Sequence, residues 1–201
     1  MNKLILFVLL FALLSCTNRI NKNQTKTEQS DIKKEVQINR QDFKTENIEF
    51  ASYLELIPKL ELPIEKMCYD NFASPTLNLD NSLINKFRPE GAGIYGKFSI
   101  NENVIAVIYL YPADYIYPFI VTYDSNATKI SNFGFFDGYC GRDYDFYSSS
   151  YCKISETLQI SRIDSTTTFD MDENDETIGI KESKVNKTEY AINQIGEIIK
   201  K

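Results

Sequence analysis

The chain has 201 residues, 43% of them hydrophobic, which is enough for one folded domain with a sizeable core. Its formal net charge of −6 argues against nucleic acid as a partner and against electrostatic docking on anionic lipid. Histidine is absent, so this chain cannot form a Ser-His-Asp or Cys-His nucleophile system or a histidine-based zinc, copper or haem site. We therefore expect a protein that is not an enzyme and holds no cofactor.

The chain begins with one positive charge in residues 1–3 and an unbroken apolar run from Leu4 to Leu14. That run is too short for a membrane-spanning helix, which needs about 20 apolar residues. Its end, Leu13-Leu14-Ser15-Cys16, resembles the lipobox of bacterial lipoprotein signal peptides. The resemblance implies cleavage before Cys16, acyl chains such as palmitate on Cys16, and a lipid anchor in the bacterial cell envelope, with the domain in the periplasm or outside the cell. An ordinary secretory peptide and a short uncleaved anchor are the alternatives.

Residues 17–41 are polar and rich in Asn, Lys, Gln and Thr, a composition typical of a flexible linker. The alternative, an amphipathic helix at Asp31 to Ile38, has only a narrow apolar stripe. We therefore predict a signal peptide over residues 1–15, a lipidated Cys16 and tether over residues 16–42, and a mostly-β domain over residues 43–201.

Two short helices are predicted at the start of this domain. Apolar side chains recur at i, i+3, i+4 and i+7 in the first, namely Phe50, Tyr53, Leu54 and Ile57. Pro58 ends it, because the residue before a proline is pushed out of the helical region. Alternating Leu60, Leu62 and Ile64 indicate an extended segment. Asp80 is predicted to cap the second helix, which runs through Phe87.

The rest of the domain is predicted as strands, with turns every 8 to 12 residues or so, which is typical of an antiparallel meander. The later strands are more polar, so we expect them to lie toward an edge or to have one solvent-exposed face, with the earlier strands at the centre of the sheet. The predicted fold class is mainly β with short N-terminal helices, arranged as a single antiparallel meander sheet, a sandwich or an open barrel. The strands are Ile94–Ile100, Val104–Tyr111, Tyr115–Tyr123, Lys129–Phe136, Lys153–Ile163, Thr166–Met171, Thr177–Lys184 and a last hairpin over Glu189–Ile199.

Three cysteines remain beside Cys16, and an exported protein occupies an oxidising compartment where they can pair. Cys140 and Cys152 flank a short loop rich in Tyr, Ser and Asp and are the predicted disulfide. Cys68 is then left over. The alternative is that all three are free thiols, with Cys68 buried as a small hydrophobic residue.

The densest cluster of polar and aromatic residues lies between Phe133 and Cys152. Tyrosine rings stack on sugars and carboxylates bind sugar hydroxyls, so the cluster indicates a ligand-binding loop for a glycan or peptide. An alternative is that these aromatic residues cap the end of a sheet. The region also offers carboxylates for glycoside hydrolysis, Asp137 with Asp143 or Asp145. The candidate binding residues are Asp137, Tyr139, Arg142, Tyr144 and Tyr147.

A run of acidic residues follows at Asp170–Glu176. Asp170, Asp172 and Asn174 match the first three ligand positions of an EF-hand-like calcium loop. The match breaks at Asp175, which stands where the loop needs glycine, and strands rather than helices are predicted on both sides. We expect a solvated acidic hairpin turn, with a weak calcium site as the alternative and no metal site otherwise.

Together these features are similar to those of small cell-envelope lipoproteins. We expect a non-enzymatic binding or structural module that contacts the membrane through the lipid on Cys16 and an unknown protein or glycan through its domain. The alternatives are a glycan-active hydrolase with paired carboxylates and an immunity-type inhibitor of a partner protein.

Overall fold

The computed structural model describes residues 41–72 and 81–201, which all belong to one compact unit. Several predictions fall outside the described residues: the signal peptide, the lipidation of Cys16, nearly all of the tether, the alternative helix at Asp31 to Ile38, and the position of Asp80. No helix in the described ranges is long and apolar enough to cross a membrane.

Two short helices begin the domain, as predicted. Helix α1 is Ile48–Glu55, and the side chain of Asn47 caps it by accepting the backbone N–H of Phe50 at 3.0 Å. Helix α2 is Ser82–Phe87. Its N-cap is Asn81, whose side chain accepts the N–H of Leu83 at 2.9 Å, so the prediction that Asp80 provides the cap is wrong.

The strands form two antiparallel sheets, which confirms the predicted fold class. The first sheet is a sequential meander of β2 (Gly93–Asn101), β3 (Val104–Pro112), β4 (Ile116–Asp124) and β5 (Lys129–Gly134). The second sheet contains β1 (Ile64–Met67), β6 (Gly141–Arg142), β7 (Phe146–Ile154), β8 (Gln159–Met171), β9 (Thr177–Ile192) and β10 (Ile198–Lys200). Its order is β1-β7-β8-β9-β10, with β6 also paired on β7.

The first sheet carries a hydrophobic core on each face, so β3 is buried over most of its length. Ala106 and Ile108 belong to the core shared with the second sheet, which also contains Cys152, Ile154 and Ile160. The alternate residues of β3 face the opposite way, as the period of two requires. They belong to a second core beneath the two helices, in which the buried members are Phe50, Tyr53, Leu54, Ile57, Ile84, Ala92, Ile94, Ile105, Val107, Tyr109, Val121 and Tyr123.

Three tyrosines in the helix-side core join their hydroxyl groups. Tyr109 lies within hydrogen-bond distance of Tyr53 at 2.8 Å and of Tyr123 at 3.0 Å. Burial raises the pKa of all three phenols, because the charged phenolate would lose its hydration. The chain of hydroxyls satisfies polar groups that the apolar surroundings cannot.

The strand boundaries differ from prediction after residue 140. Phe146–Ile154 forms β7, which the sequence pattern did not reveal, and Lys153–Ile163 is not one strand because a turn at residues 155–158 divides it. The two short strands predicted at Thr166–Met171 and Thr177–Lys184 are parts of the long strands β8 and β9. These strands pair with each other along most of their length.

The predicted pairing of Cys140 with Cys152 is wrong, because Cys140 bonds to Cys68, with 6.0 Å between their Cα atoms, and Cys152 is free and buried. Strands β1 and β6 lie end to end along the same edge of β7. Cys68 follows β1 and Cys140 precedes β6, so the disulfide closes the gap between them. Gly141 pairs with Ser148, which lies about 13 Å along β7 from Cys152, too far for a bridge from Cys140.

Candidate functional site

Two turns that are distant in sequence meet at one end of the second sheet. The antiparallel register pairs Phe146 with Thr168, which brings the β6–β7 turn at residues 143–145 beside β8 and its turn into β9. We call this region, residues 139–147 together with residues 169–177, the acidic tyrosine end. It contains four of the five predicted binding residues, and Asp137 is the exception.

Side chains and backbone hold the two turns together. The hydroxyl of Tyr144 donates to the carboxylate of Asp175. Arg142 donates through Nη2 to the Thr177 hydroxyl at 2.7 Å, and the carbonyl of Asp145 accepts the backbone N–H of Phe169 at 2.7 Å. These three contacts connect residues 142–145 to residues 169–177.

Arg142 also places its guanidinium over an aromatic ring. Its central carbon lies 4.7 Å from the centroid of Phe169, which is within the range of a cation–π contact. Because the same side chain bonds Thr177, the stack and the hydrogen bond hold Arg142 in one orientation against the β8–β9 turn.

Tyr139 lies on the other side of the β6–β7 hairpin. Its ring makes edge contacts with Tyr115 at 5.7 Å and Phe146 at 5.6 Å, and its hydroxyl donates to the carbonyl of Arg142 at 2.9 Å. A hydrogen bond with Tyr115 raises the pKa of Tyr139 to about 12. Gly141 allows this packing, since it adopts φ +126° and a Cβ there would lie 3.1 Å from the Tyr115 hydroxyl.

The tyrosines of this end are accessible although they are held in place. Tyr144 is 55% exposed, Tyr139 39% and Tyr147 38%. Acidic side chains surround them in both turns: Asp143, Asp145, Asp170, Asp172, Glu173, Asp175 and Glu176. The surface is therefore aromatic and strongly negative.

Asp172 and Tyr144 also have shifted pKa values, each with a local cause. The backbone N–H groups of Glu176 and Asn174 donate to the Asp172 carboxylate, which lowers the pKa of Asp172. The hydrogen bond that Tyr144 gives to Asp175 raises the pKa of Tyr144, because the neutral phenol is the form that donates. The first shift favours the charged Asp172 carboxylate that accepts the hydrogen bonds of its own turn. The second favours the neutral Tyr144 phenol that donates to the other turn.

Asp137 belongs to a different polar cluster. Its carboxylate lies 2.8 Å from Nη2 of Arg162, a side chain that is only 11% exposed, and Nε of Arg162 lies 3.1 Å from Asp164. The Ser150 hydroxyl donates to Asp164 at 2.6 Å. Asp137 therefore compensates a mostly buried guanidinium.

The predicted binding residues do not line a single groove. Arg142 and Tyr147 are register partners and so share one face of the sheet. Tyr139 packs on Phe146, which precedes Tyr147 on β7 and therefore points to the opposite face. Shallow depressions on the described surface are lined by other residues, one of them by Asn101, Asp124 and Gln194. The candidate binding residues of the acidic tyrosine end therefore lie on both faces of the sheet and, in the case of Tyr144, in the β6–β7 turn.

The predicted calcium ligands have other roles. Asp172 caps its own turn by accepting two backbone N–H groups, and Asp170 pairs with Gly179 in the β8–β9 ladder. Within residues 41–72 and 81–201 no three His, Cys, Asp or Glu side chains are placed to hold a metal ion. Two of the carboxylates considered for hydrolysis also have structural contacts, since Asp137 pairs with Arg162 and Asp143 accepts the N–H of Tyr144 at 2.7 Å.

Sequence reasoning missed Phe169 and Thr177 of this end and Tyr115, which packs against it through Tyr139. Each comes from a segment whose contact with the tyrosine loop depends on strand register. The acidic run that contains Asp175 was recognisable, but its position beside Tyr144 was not, because β7 was not predicted. The signal in the sequence that could have indicated β7 is the small residue at every second position, Ser148, Ser150 and Cys152, which face the interior of the domain.

Searches against family models, curated proteins and solved structures found no match to this chain.

Proposed function

We propose that this chain is a non-enzymatic binding module, anchored by lipid in the bacterial cell envelope, which uses its acidic tyrosine end to hold a protein partner with a basic surface. The observation that carries the proposal is the joining of two turns by the Tyr144–Asp175 and Arg142–Thr177 hydrogen bonds. That joining presents exposed tyrosines and carboxylates together.

Fixed exposed tyrosines favour binding for a physical reason. A tyrosine brings a large apolar ring and a hydroxyl to an interface, and it loses little entropy when it is already held in place. Tyr139 and Tyr144 are both hydrogen-bonded and both more than a third exposed. Interfaces are enriched in tyrosine at the positions that contribute most to affinity.

The charge of this end indicates the chemistry of the partner. Carboxylates from both turns create a negative field whose effect on association depends on complementary positive charge. Asp175 and Glu176 are exposed, and Arg142 is the basic residue within this end. A partner surface rich in Lys or Arg fits this field, whereas nucleic acid and anionic lipid are repelled.

The membrane part of the proposal is supported by Leu13-Leu14-Ser15-Cys16, the lipobox-like sequence. The polar stretch that follows Cys16 has the composition of a tether long enough to carry the domain clear of lipid headgroups. The domain therefore contacts the membrane only through its acyl chains. An inhibitor that covers a basic partner, such as an immunity-type protein, is one form that such a module takes.

Site-specific photo-cross-linking in living cells tests the binding surface. A photoreactive amino acid replaces Tyr147 in one full-length chain and Ile48 in a matched control, since Tyr147 is 38% exposed in this end and Ile48 is 81% exposed on α1. Tyr147 takes no part in the two hydrogen bonds that join the turns, so the probe leaves them in place. The proposal expects a discrete cross-linked protein product at position 147 that is absent at position 48. Equal products at both positions, or none at 147, would contradict it.

Metabolic labelling tests the anchor separately. The full-length chain should incorporate a palmitate analogue and fractionate with membranes, and Cys16→Ser should lose both properties. Cys152→Ala is the control, because Cys152 is buried in the fold and should not affect labelling. Continued labelling of the Cys16→Ser chain would refute lipid attachment at this residue.

A further inference from the structure

Strand β9 has a long edge that no described strand covers. On one side β9 pairs with β8 along nearly its whole length, but on the other side β10 pairs with Tyr190–Ile192, and the N–H of Lys201 donates to the carbonyl of Glu189. The side chains of residues 180–187 are exposed, and Val185 is 66% exposed. Unpaired backbone N–H and C=O groups on such an edge are a template for another strand.

The register between β8 and β9 is interrupted along one part of this edge and continuous along the other. Register shifts between β8 and β9 occur next to Phe169 and Met171, toward the hairpin tip. Bulges of this kind discourage edge-to-edge pairing. From Glu182 to Thr188 the register is continuous and β10 does not cover the strand, a stretch of about 24 Å at the usual rise per residue. We call this stretch the β9 edge.

The lysines of the β9 edge present no uncompensated charge to another strand. Lys184 pairs with Glu182 at 2.9 Å, and Lys187 pairs at 2.7 Å with Glu189, the residue that follows the edge. Protected edges commonly use uncompensated lysines, and here each lysine is neutralised by a neighbour.

We propose that the β9 edge pairs antiparallel with the β9 edge of a second copy of this chain, about a two-fold axis at Val185. The inference does not depend on the proposed function. In a two-fold arrangement that continues the sheet, paired residues must lie on the same face, so their positions differ by an even number.

The sequence of the edge selects the register centred on Val185. In that register Val185 faces its own copy, Lys184 faces Asn186, Ser183 faces Lys187, and Glu182 faces Thr188. No like charges are opposite each other, and two exposed valines pack together.

Neighbouring registers are less favourable. A centre at Lys184 places that lysine opposite itself, and a centre at Asn186 places Val185 opposite Lys187. A strand pair of this length buries less surface than the standard interface, about 800 Å² per partner, so the dimer should form reversibly and depend on concentration.

Disulfide trapping in cells tests this register. A full-length chain with Val185→Cys, treated with a mild oxidant, should form a homodimer that migrates at twice the mass without reductant. The matched control is Ile48→Cys, an exposed aliphatic residue on α1. Trapping at position 185 no faster than at position 48 would overturn the proposal, as would a disulfide within one chain or to a different protein.

A second pair of variants measures the same contact without cysteine. Val185→Lys sets two like charges opposite each other and should weaken dimerisation of the purified full-length chain about tenfold in sedimentation experiments. Ile48→Lys adds the same charge elsewhere and should leave dimerisation unchanged. Equal sedimentation of the two variants, or a monomer at every concentration of the unmodified chain, would contradict the proposal.

Discussion

The Cys68–Cys140 disulfide should be a major source of stability. It joins residues 72 positions apart, and the chain-entropy relation for a loop of that length gives about 4 kcal/mol. The alternative bridge between Cys140 and Cys152 would close a much shorter loop and contribute about 3 kcal/mol. A domain of this size has a net stability of only about 5–15 kcal/mol, so either loss is measurable.

Thermal unfolding of the full-length chain, followed by circular dichroism in a non-ionic detergent, separates the two pairings. Cys68→Ala should lower Tm by about 8–16 °C, because each kcal/mol shifts Tm by about 2–4 °C in a chain of this length. Cys140→Ala should cause a similar loss, because either change removes the same bond.

Cys152→Ala is the matched control. It removes one buried sulfur and should cost about 1–2 kcal/mol, well below the loss from Cys68→Ala. The Cys68–Cys140 pairing would be refuted if Cys152→Ala lowered Tm as much as Cys140→Ala while Cys68→Ala left Tm nearly unchanged.

Three further outcomes follow from single side chains. Burial raises the pKa of Tyr109 in the folded chain above the value of about 10 that it has in the unfolded chain. The stability that this difference provides is present below about pH 10 and is lost as the pH rises beyond it. In urea titrations, Tyr109→Phe should therefore reduce the fall in unfolding free energy above pH 10 by about 1.4 kcal/mol per pH unit. Gly141→Ala should destabilise by about 0.5–1 kcal/mol more than Gly138→Ala, since both have positive φ but only a Cβ at 141 meets the Tyr115 hydroxyl; equal Tm values would contradict this. Burial raises the pKa of Cys152 to about 12, so a thiol reagent at pH 8 should label it only after unfolding, and rapid labelling of the folded chain would disprove that burial.

The first half of the domain was predictable because its side chains follow simple periods. Helix α1 shows the spacing of Phe50, Tyr53 and Leu54, and β3 is a continuous apolar run bounded by turns. These elements are buried on one or both faces, so burial is recorded directly in the sequence.

The second sheet was harder to predict because its inner face is polar over much of its length. Ser150 of β7 and Arg162 and Asp164 of β8 occupy inward positions and satisfy one another, so hydrophobic alternation disappears there. Strand β9 is exposed along most of its length, and residues 181–189 in its middle offer no apolar period. Its extent depends on pairing with β8.

The candidate site was predictable in composition but not in geometry. The tyrosines and carboxylates of residues 137–147 stood out from the sequence. Asp137 is drawn away by Arg162, and Asp175 is brought in by the β7–β8 register, which no local pattern encodes. The disulfide depended on the same pairing, since β1 and β6 come together only along β7.

The claim that the acidic tyrosine end binds a basic partner is tested most directly by the yield of the in-cell cross-link from position 147 when the negative charge of this end is reduced. Glu173→Gln with Glu176→Gln removes two exposed carboxylates that take no part in the contacts between the turns. Glu61→Gln with Glu90→Gln makes the same change in net charge elsewhere on the exposed surface. The account predicts that the first pair lowers the yield at least about threefold and the second leaves it unchanged. Equal yields from both pairs would contradict it.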